Sequence, residues 1–595
     1  MAARHARRHA WSTNSLRSAG DRAGRVADPR DWHTAHRAGA AGPDEGLQFM
    51  APVTHPLPIL AISLAALLVT GCGRKSPESV VAEAPVAAAT ETQAEGRQHL
   101  PPGIDWFAGD VEAAFAAAKA ADKPIFLYWG AEWCPPCAQI KSTIFNKREF
   151  QERSRLFVSV YLDGDTPSAQ RHGERFGVVG YPTMILFRPD GTEITRLPGG
   201  VDVARYAKIL DVALADARPV TEILAAAASG GDVTSNDWRL LAYYSWGSDN
   251  GRILPEAERA ATFLRLSDRC PPELQPECAR LYFEYLGAVA SGEGTPISGL
   301  DRAAARNQLL GLLQSPSVGQ ANVDNLLYGA KVVVEALSDA GTPERAQLTG
   351  AWRAALDRLG TDAAAPLSGP EQLNVVRARM LLARLDNPEA ALPPALLDEA
   401  RATVARIDAA TTDAYARQAA INSAAGLYWE AGLDDDANRL LVAELEKSKS
   451  PYYFMLDLAE LAQKAGREEE AVDWLARAYA GAQGPATRFQ WGYNYMLGLL
   501  EMTPDNTARI QQAGLDVLGE LDGAPDAFYQ RTRMRLEQLS AKLLEWGTGT
   551  ERAQVIERLR SRTAEICEGL PSGDEGRGNC ESFLKPSVPA TPTTT

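Results

Sequence analysis

Cys134-Pro135-Pro136-Cys137 is the segment whose residue types and spacing define a chemistry most sharply. Two cysteines at i and i+3 on the first turn of a helix can close a disulfide with little backbone movement. The first of them lies where unpaired backbone amides and the helix dipole favour an anion. Its thiol then ionises below the ordinary value of about 8.5, at about 3.5 to 7 in such settings. A thiolate at 134 attacks a partner disulfide, and the thiol at 137 resolves the mixed disulfide. Pro135 and Pro136 suit a first helical turn, where a missing N–H costs nothing. The competing readings are a structural disulfide or half a zinc site, but no second Cys pair or His cluster lies nearby in sequence to complete zinc ligation. Histidine is absent after His172. The rest of the chain therefore holds no His-ligated metal and no His general base. No metal is expected, and no cofactor beyond the redox-active disulfide itself.

The elements that must position this pair can be read from the flanking residues. Val111 to Ala121 is a strong helix former that Lys123-Pro124 breaks. Ile125 to Trp129 is a short apolar run that suits a buried parallel strand. The Cys pair opens a helix running to about Phe145. Leu156 to Leu162 reads as a second strand, Ser168 to Phe176 as a helix and Thr183 to Phe187 as a third strand. Pro189-Asp190-Gly191 turns the chain into a hairpin partner at Thr192 to Leu197, and Asp202 to Ala213 closes with a helix. The order is that of a compact α/β layer.

These residues resemble the thioredoxin superfamily over about 115 positions. The resemblance rests on Trp133-Cys134-Pro135-Pro136-Cys137, on Gly180-Tyr181-Pro182-Thr183 and on the lead-in Ala118 to Pro124. It is nearest to bacterial periplasmic thioredoxin-like proteins and the C-terminal domain of the disulfide reductase DsbD. The resemblance implies a thioredoxin fold, Cys134 as attacking thiolate and Cys137 as resolving thiol. It implies a cis Pro182 facing the pair, with Trp133, Tyr181 and Pro182 flanking the groove where the partner's cysteine docks. It further implies protein thiols and disulfides as partners, with a DsbD-type inner-membrane protein as an electron donor. Three positions depart from the family: Tyr128 replaces a buried Asp, Ser159 replaces its Lys, and Ser142 replaces a helix-kinking Pro. Losing the Asp and Lys together leaves no unpaired buried charge, but it removes the usual proton acceptor for Cys137. Glu132 is a candidate replacement, read against an ordinary solvated acid.

Leu57 to Thr70 is almost unbroken apolar sequence, too short for the ~20 residues of a membrane span and suited to a signal-peptide core. It runs into Leu68-Val69-Thr70-Gly71-Cys72, which resembles a bacterial lipobox with Cys72 lipidated. The expected organisation is a mis-called extension or long leader at 1–49, with translation starting at Met50. A lipoprotein signal at 50–72 and a disordered tether at 73–103 follow. Then come the thioredoxin-like domain at 104–217, an α-helical region at 218–567 and a loop with a disordered tail at 568–595. The tether has a mean reach of about 30 Å.

Four further cysteines remain, Cys270, Cys278, Cys567 and Cys580. An even remainder fits an oxidising compartment. Close spacing favours Cys270 with Cys278 and Cys567 with Cys580, although four cysteines allow three connectivities. Free buried thiols and zinc are the alternatives.

After Val220 no strand pattern stands out. Ala425–Leu445 and Ala459–Tyr479 align at a shift of 34 residues, pairing Gly432 with Gly466 and Ala437 with Ala471. That period resembles tetratricopeptide repeats, so the remainder reads as an all-α solenoid of degenerate helical hairpins. The formal net charge of -15 argues against nucleic-acid binding. Together these features predict a lipid-anchored thiol-disulfide oxidoreductase on the periplasmic side of the envelope. The alternative is an envelope scaffold whose two regions are docking modules.

Overall fold

The computed structural model of the chain describes residues 100–199, 201–215, 217–292, 300–359, 361 and 366–585. The expected signal segment, the lipidation residue Cys72, most of the tether and the end of the tail lie outside the described residues.

The first unit is a four-stranded mixed sheet with flanking helices. Helix α1 (Val111–Ala121) starts where the Asp110 carboxylate accepts from the Ala113 N–H at 2.7 Å, and ends at Asp122 in left-handed backbone, φ 51°. Strand β1 (Ile125–Gly130) is buried at every position. Helix α2 (Pro135–Ile140) continues through a π-helical turn, Lys141–Phe145. Then follow α3 (Arg148–Arg153), β2 (Val158–Asp163), α4 (Pro167–Arg175), β3 (Thr183–Phe187), β4 (Glu193–Leu197) and α5 (Val203–Leu214). The sheet order is β2-β1-β3-β4, with β1 parallel to β2 and antiparallel to β3. The second strand begins two residues later than the sequence pattern predicts. Ser154–Leu156 forms a 3-10 turn, and Leu156 is more than half exposed, so it has no core to face.

Alternation in β1 splits the core in two. Ile125, Leu127 and Trp129 face α1 and join Ile185 and Phe187. Phe126 and Tyr128 face the other way, toward Phe145, Met184, Leu186 and Tyr206, and this second core runs without a break into the helical region.

From Val220 the described residues contain helices and no further strand. Arg196 of β4 is fully buried and stitches the regions together. Its guanidinium donates to the carbonyls of Phe176, Gly177 and Ser248 at 2.5 to 3.0 Å. The aligned segments form two successive helical hairpins, Ala414–Ala431 with Asp434–Glu444 and Pro451–Lys464 with Glu468–Gly481. Each hairpin turns at a glycine in left-handed backbone, Gly432 at φ 72° and Gly466 at φ 74°. Ala437 and Ala471 are both fully buried, as close helix contact requires. Of the aromatics in this stretch, Tyr452 and Phe454 are core, while Trp429 and Trp474 pack at its edge. No helix among the described residues is long and apolar enough to cross a membrane.

Candidate active site

Strand β1 delivers the chain to Cys134, which occupies the N-cap of α2. Cys134 and Cys137 are disulfide-bonded with Cα atoms 5.2 Å apart, and the Cys134 sulfur accepts the Cys137 N–H at 3.2 Å. Pro135 and Pro136 fill the first helical positions, where proline is pre-organised for the helix. The Tyr181–Pro182 peptide is cis. Its place follows from register: Thr183 pairs with Trp129 across β1 and β3, which sets Pro182 beside the β1–α2 connection. The rings of Trp133 and Tyr181 meet edge to face at 5.7 Å. The structure thus brings Trp133, Cys134, Cys137, Tyr181 and Pro182 to one end of the sheet. Cys270 and Cys278 are disulfide-bonded elsewhere, as are Cys567 and Cys580, with Cα separations of 5.5 and 5.7 Å.

The three departures have local consequences. Tyr128 is fully buried among Trp106, Phe145 and Tyr161, and its hydroxyl has no hydrogen-bond partner among the described residues. Burial raises its pKa far above the ordinary tyrosine value, so it is no proton acceptor. The Ser159 hydroxyl is likewise buried and has no hydrogen-bond partner among the described residues. At Ser142 the helix widens into its π turn. Ser142 and Thr143 both donate their hydroxyls to the Gln139 carbonyl, at 2.9 and 2.8 Å, competing with the regular ladder.

Two ionisable groups that the sequence reading did not single out sit close by. Lys141, one turn beyond Cys137, is 1% exposed, and its Nζ makes no hydrogen bond among the described residues. It lies 5.2 Å from the centre of the Tyr415 ring. Burial lowers its pKa to about 8, against the opposing pull of Glu132, Asp163 and Asp165. Asp165 accepts from the Trp133 indole N–H at 3.0 Å, and burial, reinforced by Asp163, raises its pKa well above the ordinary carboxylate value. Both groups are thus pushed toward their neutral forms. Helical spacing from Cys137 could have flagged Lys141, and an acid just past a buried strand could have flagged Asp165. Glu132 is half-buried beside them.

The pair itself is covered. Cys134 is 2% exposed and Cys137 0%. The cover comes from the helical region. Gln418 donates to the Trp133 carbonyl at 3.3 Å, and Thr487 accepts from the Trp133 indole at 2.9 Å. Trp491 meets the Trp133 ring at 4.8 Å and Tyr453 stacks near it at 6.1 Å. The Arg531 guanidinium lies 5.8 Å from the Trp133 ring and 5.3 Å from that of Tyr181. Between them remains a cavity of about 10 Å³, lined among others by Trp133, Tyr181, Thr487, Gln490 and Arg531, room for about one water. Among the described residues no group of three or more His, Cys, Asp or Glu is arranged to hold a metal.

Comparison with known proteins places relatives beside this site. The model of the thioredoxin-like domain family matches residues 111–214. The thiol:disulfide interchange protein DsbD 1 of Pseudomonas aeruginosa is 30% identical over 104 residues, which cover 17% of this chain and 18% of that protein. A thioredoxin of the same organism is 30% identical over 93 residues, covering 15% of this chain and 80% of the thioredoxin. The protein disulfide-isomerase erp38 of Neurospora crassa is 23% identical over 243 residues, 40% of this chain and 60% of that one. A solution structure of a thioredoxin from Thermus thermophilus is 26% identical and covers 18% of this chain and 85% of its own, with a TM-score of 0.17. The chain thus spans less than a fifth of the DsbD protein and under two thirds of the isomerase.

Proposed function

This chain belongs to the thioredoxin family through its residues 111–214, and we propose that it is a thiol-disulfide oxidoreductase acting on protein partners in the bacterial envelope. The observation that carries the reading is the bridged pair at the start of α2, behind a buried strand and beside a cis proline. In the reducing direction the Cys134 thiolate attacks one sulfur of a partner disulfide, and the partner's other sulfur leaves and takes up a proton. Cys137 then loses its proton and attacks Cys134, closing the Cys134–Cys137 bond and releasing the partner's second thiol. Two electrons pass to the partner, and the pair ends oxidised. The helix start stabilises the thiolate at 134, and Trp133, Tyr181 and Pro182 form the docking groove.

Similarity to a DsbD protein supports an envelope location and a donor of that type, and the apolar Leu57–Thr70 run ahead of Cys72 supports export and lipid anchoring. The 34-residue recurrence supports a tetratricopeptide-like solenoid, and the even set of remaining cysteines supports structural pairs at Cys270/Cys278 and Cys567/Cys580. The test is capture: a Cys137→Ser variant should hold a protein partner as a mixed disulfide through Cys134, and the native chain should reduce insulin. No capture and no reduction would end the exchange reading. A second reading, a scaffold in which the pair is structural, is favoured by one observation, the burial of both cysteines. It predicts that Cys134→Ser leaves envelope function and partner binding intact.

A further inference from the structure

We propose that the helices of residues 414–502 form a strap over the Cys134–Cys137 disulfide, pinned at both ends, which must lift before a partner can reach Cys134. The inference rests on the exchange reading above.

The pins are firm. On one side the 235–242 helix packs on α5, and the buried Arg196 ties β4 to Ser248. On the other, the 525–528 turn packs on α4. There Gln530 donates its N–H to Glu174 at 2.8 Å and its side-chain amide to the Val178 carbonyl, while Arg171 pairs with Asp526 at 2.8 Å and Asp574 at 2.5 Å. Between these attachments the 414–431 helix lies across α2. The following hairpin and the 485–502 helix close over Trp133.

The strap's own hydrogen bonds are uneven: Thr487 accepts from the Trp133 indole at 2.9 Å, but two others are long. Gln418 to the Trp133 carbonyl and the Ala486 N–H to the Asp165 carbonyl are both long, at 3.3 Å. The Lys141 ammonium lies beneath Tyr415 with no hydrogen-bond acceptor among the described residues. A cavity of one water's size remains between Trp133, Tyr181, Thr487 and Gln490. Buried polar groups that are incompletely satisfied make a contact costly to keep closed, and elements of low local stability are the ones that open without global unfolding. A partner polypeptide cannot lie against Trp133 while Thr487 and Trp491 of the strap occupy that face.

The test is reduction of the full-length oxidised protein by dithiothreitol. A thiolate of the reagent attacks the Cys134 sulfur, Cys137 leaves and is protonated, and the reagent's second thiol closes its ring to release Cys134. Two electrons and two protons are gained by the pair. We expect reduction more than tenfold slower than that of oxidised glutathione. In a Gln418→Ala/Thr487→Val variant it should quicken by about tenfold, the worth of two cross-strap hydrogen bonds at roughly 0.7 kcal/mol each. A rate within tenfold of oxidised glutathione, or a slow rate that the variant leaves unchanged, overturns the proposal. Should the variant not fold, urea below the unfolding transition replaces it. The reduction rate should then rise with a slope clearly below that of global unfolding, and a slope of zero or one equal to global unfolding overturns the strap. The two readings fail separately. Partner capture with fast, unprotected reduction sinks the strap alone, and protected reduction without capture in the opened variant sinks the exchange reading alone.

Discussion

Lys141 is an ammonium held out of water one turn past the redox pair, and its titration should be visible in the stability of the protein. Folded, it releases its proton at about 8, and unfolded near the ordinary 10.5. Between those values the unfolded chain binds more protons, so stability rises as pH climbs through that window, and below pH 8 the buried charge is a standing cost. Lys141→Met keeps the stem and removes the charge. It should stabilise the protein at pH 7 by up to about 3 kcal/mol, a gain that closes by about pH 10.5; melting temperatures of both proteins from pH 6 to 10.5 check this. Asp165 has the opposite sign. Its raised pKa means that the folded state holds a proton the unfolded chain has lost, so stability falls as pH rises through the ordinary carboxylate value toward the folded one. Asp165→Asn keeps an acceptor for the Trp133 indole and should flatten that fall, with melting followed from pH 3 to 7.

At the scale of elements, one chemical change should act with opposite sign in two places. Gly432 and Gly466 close their hairpins with φ above 70°, and a methyl group there would meet nothing within 4 Å. Substitution by alanine should therefore cost about 1 kcal/mol each from backbone strain alone. Gly287, inside the Gln275–Ala290 helix and also with open space around it, should gain roughly 0.5 to 1 kcal/mol as alanine. Urea unfolding of the three variants decides. Those hairpins were legible in the sequence because a glycine stop and a buried alanine recur in register. The strands were legible because Ile125–Trp129 and Thr183–Phe187 are short apolar runs between breakers. The active-site helix was legible to its end near Phe145, but the π turn of Lys141–Phe145 was not. A serine at 142 gives no sign that the ladder will widen, or that its hydroxyl and that of Thr143 will share the Gln139 carbonyl. The cover over the pair was not legible at all. Gln418 and Thr487 stand 285 and 354 positions from Trp133, and contacts at that separation leave no local pattern to read.

At the scale of the molecule, the Cys567–Cys580 bridge closes a loop beside Asp574, which holds Arg171 of α4. Removing it as Cys567→Ser/Cys580→Ser should cost about 3 kcal/mol by loop entropy, measured as a lower urea midpoint. It should also speed reduction of the Cys134 pair, by loosening one of the strap's attachments. The uninterrupted core carries a further consequence. Phe145, Met184 and Tyr206 belong to the same apolar body as Trp238, Phe283 and Trp352, so heat should melt the chain in a single step. A clone ending at 217 would lay bare the flank of α2 and the rings of Trp133 and Tyr181. Such a fragment should clump on expression, collecting in the pellet where the full chain does not.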